Sequence, residues 1–182
     1  DVNNVDQVRA VLAAGMQPIL SVGESFEERR QGIELDFAVG QVHDVTRDLS
    51  DKEAAKLIIA YEPVWAIGTG MVATPDTAQQ AAKAIRDDLG EMFGSAVADT
   101  VRILYGGSVS SKNATHLIGE PDVDGFLIGG ASLDPDELAK IARLTICSIA
   151  IRLERVAATF VGVFFHFSIH AVRRSISFCC AS

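Results

Sequence analysis

Short apolar runs alternate along this chain with stretches whose apolar residues recur every three or four positions. In residues 4–14, Val5, Val8, Val11 and Leu12 share one helical face, and Gly15 supplies a C-terminal stop. Pro18-Ile19-Leu20-Ser21-Val22 follows as an apolar run closed by Gly23, the pattern of a strand covered on both faces. Ser25 with Glu28 three residues on makes a capping box, and Leu35, Val39, Val42, Val45 and Leu49 predict a helix over 34–49. Residues 57–61 form the next strand. After the loop 62–73, Thr74 can cap and Pro75 can occupy the first turn of a helix over 75–93, closed by Gly94. A strand over 101–105 runs into Gly106-Gly107-Ser108. A helix over 113–118, a strand over 123–128 ending in Gly129-Gly130, and a last helix capped by Asp134 complete the pattern.

Four apolar strands alternating with helices, without a hairpin signal, define parallel β/α units. Periodicity leaves two arrangements open, a (β/α) barrel and a doubly wound open sheet. Both bury their strands and both use right-handed crossovers. Four units cannot close a barrel that needs eight.

Composition splits the chain. Residues 1–143 carry 12 Lys/Arg against 23 Asp/Glu, whereas residues 144–182 carry four Arg, one Glu, five of the nine Phe and all three cysteines. The net charge of −8 argues against a nucleic-acid partner. Cys147, Cys179 and Cys180 have neither metal-ligand spacing nor a disulfide framework, and read as incidental thiols. The opening Asp1-Val2-Asn3-Asn4 has no signal-peptide pattern, so a cytoplasmic location is expected.

Chemistry in such folds gathers at the carboxyl ends of the strands. Those ends hold Gly23-Glu24, Glu62, Gly106-Gly107-Ser108 and Gly129-Gly130. Glycine pairs let backbone N–H groups approach an anion, and Ser108 adds a hydroxyl donor. The set describes a site for one phosphate group with a carboxylate a strand away. Either glycine pair alone is as readily a tight turn.

Tyr61-Glu62-Pro63-Val64-Trp65-Ala66-Ile67-Gly68-Thr69-Gly70 resembles the signature of the triosephosphate isomerase family. The resemblance extends over Gln17-Pro18-Ile19-Leu20-Ser21-Val22-Gly23-Glu24, Ala73-Thr74-Pro75, Ile103-Leu104-Tyr105-Gly106-Gly107-Ser108-Val109 and Asp124-Gly125-Phe126-Leu127-Ile128-Gly129-Gly130-Ala131-Ser132-Leu133, through roughly residues 1–143. It implies an α/β fold made of the last four β/α units of a (β/α)8 TIM barrel, followed by an unrelated apolar tail over 144–182. The implied reaction interconverts dihydroxyacetone phosphate and glyceraldehyde 3-phosphate through an enediolate, in glycolysis and gluconeogenesis. Glu62 matches the base; the family is itself the standard example of a glutamate base beside a neutral histidine, so that role comes from the resemblance alone. Gly68, Ser108, Gly129 and Gly130 match phosphate-binding positions. Pro63, Val64, Trp65, Ala66, Ile67, Thr69 and Gly70 match the closing lid, and Glu24 and Tyr105 match its supports. Arg86 and Asp122 match an ion pair between neighbouring units, with solvated surface charge as the plainer alternative. The resemblance implies a small phosphorylated substrate, no cofactor, no metal, no membrane and a homodimer.

Two departures lie inside the motifs. Met71 replaces the usual Lys at the lid's far hinge, which points to altered closing rates. Ser21 replaces the usual Cys beside the base, where a buried hydroxyl without a partner costs stability. A larger departure is that nothing matches the family's Asn-x-Lys or its catalytic His: His43 and His116 fall in helical patterns, and His166 and His170 in the tail. Without those donors the expectation is a chain inactive by itself, and the alternative function is a non-catalytic phosphate-ligand binder or structural remnant. The tail, whose residues 156–172 are strongly apolar, reads as foreign sequence, with a membrane anchor or a packing segment as alternatives; the run is short for a span.

Overall fold

A computed structural model describes residues 2–67 and 71–160, with side chains described over 4–67 and 71–150. Four parallel strands, β1 (Ile19–Val22), β2 (Ile58–Tyr61), β3 (Arg102–Tyr105) and β4 (Gly125–Phe126), lie side by side in sequence order. Each connection carries helix: α2 (Phe26–Gln31), α3 (Glu34–Thr46) and α4 (Asp51–Ala54) after β1, α5 (Pro75–Phe93) and α6 (Ser95–Ala98) after β2, and α7 (Ala114–Gly119) after β3. Helix α1 (Val2–Ala13) precedes the sheet and α8 (Pro135–Phe160) follows it. An α/β chain of parallel units is the architecture that the alternating pattern requires.

The element ends obey local chemistry. Ser25 and Glu28 close a capping box on α2, and their mutual hydrogen bonds hold the Glu28 carboxyl below its ordinary value. Thr74 accepts from the Thr77 N–H with Pro75 at the first turn of α5. Asp134 accepts from the N–H groups of Asp136 and Glu137 to start α8. Gly15 takes φ 73°, a left-handed conformation that ends α1 at little steric cost. The sequence pattern does not separate out the short α4, although Ser50 and Glu53 form a second capping box. This helix shortens the one expected over 34–49, which ends at Thr46.

Ile59, Ile103, Val42, Ile85, Leu89, Leu117, Ile118 and Ile141 are fully buried between sheet and helices. Complete burial of both strand faces holds best at β2, which is covered along most of its length. In β1, Leu20 and Val22 face the core while Ile19 and Ser21 are exposed, because the described helices cover one face of the sheet and leave its other face open there. The strand expected over 123–128 is formally two residues long. As an edge among the described residues it bonds to β3 alone, though Asp124 N–H to Ile103 and Leu127 N–H to Tyr105 prolong the ladder. Helix α8 runs unbroken past residue 143, and Ile149 packs against the core. Among the described residues no helix is long and apolar enough to cross a membrane. The remainder of the apolar run, with His166, His170, Cys179 and Cys180, lies outside the described residues.

Candidate active site

Glu62 begins where β2 ends, and its backbone is tied to both neighbouring strands. Its N–H donates to the Val22 carbonyl at 2.7 Å, while the Gly106 N–H donates to the Tyr61 carbonyl at 2.8 Å. Two glycines make this closeness possible. A β-carbon on Gly23 would overlap the Glu62 carbonyl oxygen, and one on Gly106 would stand 2.5 Å from the Glu62 Cγ. Gly106 therefore serves as the floor over which the Glu62 side chain lies. Gly107 is similarly crowded, by the Tyr105 hydroxyl. The glycine pair that suits an anion loop is thus also required by packing.

The sequence suggests that Ser21 is a buried hydroxyl in need of a partner. The structure corrects this: Ser21 is exposed, and its Oγ donates to Glu62 Oε1 at 2.7 Å.

Glu24 is the buried acid of the site. The Trp65 Nε1–H donates to its Oε1 at 2.6 Å, the Tyr61 hydroxyl at 3.2 Å and the Arg29 guanidinium at 3.3 Å. Arg29 also lies 4.7 Å from the Trp65 ring centre, a cation–π contact. Burial, reinforced by the Glu24 charge, pushes the Tyr61 hydroxyl far above its ordinary value. Burial likewise raises Tyr105, whose hydroxyl makes no hydrogen bond of ordinary geometry although the Ala73 backbone is close enough to oppose the shift. Sequence reasoning misses Arg29. In Glu27-Glu28-Arg29-Arg30 it looks like one charge of a solvated helix.

From Pro63 the chain enters a 3₁₀ turn, Val64–Ala66, anchored by the Val64 N–H to the Glu24 carbonyl at 3.0 Å. Pro63 and Ala66 are buried, whereas Val64 and Ile67 are about half exposed. Gly68, Thr69 and Gly70 lie outside the described residues; Met71 beyond them is part-exposed. After β3, the Asn113 amide donates to the Ser108 carbonyl at 3.0 Å, which fixes the loop carrying Ser108. After β4, Gly129 and Gly130 open a 3₁₀ turn, Gly130–Leu133, and both are exposed. All these groups sit at the carboxyl ends of adjacent strands.

Arg86 and Asp122 are no solvated surface pair. Arg86 bonds Asp122 at 2.9 Å, Asp124 at 2.7 Å and the carbonyls of Ala98 and Val101, joining α5 to the starts of β3 and β4, opposite the carboxyl ends. His43 lies in α3, 3.2 Å from Asp88, and His116 in α7. Among the described residues no group of His, Cys, Asp and Glu could hold a metal ion.

Parallel β/α units with a carboxylate and paired glycines at the carboxyl ends of their strands place the chain in the α/β class. The triosephosphate isomerase family model matches residues 2–145, and the chain belongs to that family. It is 79% identical over 146 residues to a triosephosphate isomerase of Bifidobacterium adolescentis, covering 80% of this chain and 55% of that relative. A Bifidobacterium longum relative is 78% identical over 148 residues, covering 81% and 55%. A Fusobacterium nucleatum relative is 50% identical over 137 residues, covering 75% and 55%. The chain spans about half the length of the curated relatives it matches.

Proposed function

We propose that residues 1–143 are the last four β/α units of a (β/α)8 barrel and carry the base half of a triosephosphate isomerase site. Residues 144–182 contribute no residue to that site, although α8 continues into them and Ile149 packs against the core. Glu62 is the base. It removes a proton from the carbon beside the substrate carbonyl, the C–H electron pair forms the enediolate double bond, and the carbonyl π pair moves onto oxygen. The proton of the adjacent hydroxyl then passes to that oxygen, its O–H pair becomes the new carbonyl, and the double-bond pair takes the proton back from Glu62 at the neighbouring carbon, which converts dihydroxyacetone phosphate to glyceraldehyde 3-phosphate. Ser108, Gly129, Gly130 and, beyond the described residues, Gly68 hold the phosphate. Residues 63–70 close over it, supported by Glu24 and Tyr105, and exclude water from the carboxylate. No cofactor is required, and the cytoplasm and a homodimer follow the family.

The observation that carries this reading is the placement of Glu62 between Ser21 and Gly106, on the strand edge shared with the Ser108 loop. The test is calorimetric titration of the 182-residue chain with a phosphate-bearing enediolate mimic, run beside an isomerisation assay. The expected result is binding that Ser108→Ala weakens, with turnover orders of magnitude below a complete isomerase because no residue here supplies the Lys and His. Turnover like that of a complete isomerase would refute the inactivity of the chain. Absence of binding would refute the phosphate site.

A further inference from the structure

We infer that Ser21 is a positioning residue for Glu62, its hydroxyl holding one carboxylate oxygen so that the base stays over Gly106 and toward the substrate side of the strand ends. The inference rests on Glu62 being the base. Three features of the structure lead to it. The Oγ–Oε1 separation of 2.7 Å is that of a well-formed hydroxyl-to-carboxyl hydrogen bond. Ser21 pairs in register with Ala60, and Val22 with Tyr61, so the serine lies just short of the level at which β2 releases Glu62. The Glu62 N–H to the Val22 carbonyl fixes that offset.

The second constraint comes from the opposite neighbour. Gly106 admits the Glu62 Cγ from the β3 side but offers it no side-chain bond. The carboxylate is therefore restrained sterically on one flank and by a hydrogen bond on the other. Removing the hydroxyl leaves the steric restraint alone, which permits rotation about the terminal torsions of Glu62. Among the described residues, Glu62 Oε1 is the acceptor that the Ser21 hydroxyl meets.

The experiment uses the full 182-residue chain with ¹³C-labelled glutamate, the Glu62 carboxyl signal being identified by its loss in Glu62→Gln. Ser21→Ala and Ser21→Cys remove or weaken the donor, whereas Ser21→Thr keeps a hydroxyl and suits a strand. The expected result is a displaced Glu62 signal in the Ala and Cys variants, an unchanged one in Thr, and other glutamate signals unmoved. Affinity for the enediolate mimic should fall about fivefold in the Ala variant and be restored in the Thr variant, the scale of one lost hydrogen bond. Ser21 is exposed, so circular dichroism should give the same fold for all variants. An unmoved Glu62 signal in Ser21→Ala, or equal affinity for the mimic with and without the hydroxyl, overturns the inference. Failure of the unsubstituted chain to bind the mimic overturns the proposed function, and with it the purpose assigned to Ser21.

Discussion

Glu62 owes its place to residues with very small side chains. Gly23 and Gly106 flank it, but an added methyl group would meet different things at the two positions. At Gly23 it would strike the Glu62 carbonyl oxygen, a backbone atom held in the sheet. At Gly106 it would strike the Cγ of a side chain that can rotate. Gly23→Ala should therefore cost stability, about 3 kcal/mol or more, in urea unfolding. Gly106→Ala should fold with a loss under about 1 kcal/mol yet weaken mimic binding about tenfold, because it moves the base. Equal effects of the two changes on stability would refute this division. Neither glycine has a positive φ, so close approach is what demands them. A sequence records the glycine but not which atom fills the space beside it.

At the scale of elements, Arg86 does most to join the units. It reaches from α5 to Asp122, Asp124 and two carbonyls beside β3, and it is largely shielded from water. Loss of Arg86 leaves two part-buried carboxylates without their cation, each keeping one neutral donor, Gln79 for Asp122 and the Ile103 N–H for Asp124. Arg86→Ala should lower unfolding stability by about 3 kcal/mol. Arg86→Lys should recover only part of it, since an ammonium cannot reproduce the planar fork. A change below about 0.5 kcal/mol for the alanine variant, the behaviour of a surface pair, would contradict this role. Helix ends are mostly legible in the sequence, because Ser25, Thr74, Asp134 and Gly15 act through short-range hydrogen bonds and backbone conformation. Strand β4 is shorter than its apolar pattern suggests, because that pattern does not reveal that it has a single neighbour among the described residues.

For the whole molecule, strand order implies a gradient of protection. β2 and β3 are paired on both sides, whereas β1 and β4 are edges among the described residues. Amide hydrogen exchange in the 182-residue chain should be at least about tenfold slower at Ile59 and Ile103 than at Ile19 and Phe126. Equal protection across the four strands would mean that something covers both edges. The continuation of α8 beyond the matched residues is a further whole-molecule feature, since the helix crosses the change in composition near residue 144 without a break.

Much of the identity is legible without coordinates. The 62–70 signature, its partner motifs and the β/α alternation are consecutive residues, and their chemistry survives in linear order. Burial and contact do not. Ser21 reads as an orphaned buried hydroxyl until the open face of β1 and the reach of Glu62 are known. Nothing in the sequence singles out Arg29 until α2 brings it onto Glu24 and Trp65. Arg86 reads equally well as solvated surface charge or as half of an ion pair between units. Each of these depends on residues distant in sequence meeting across neighbouring strands and helices, and only the packed structure decides which of them meet.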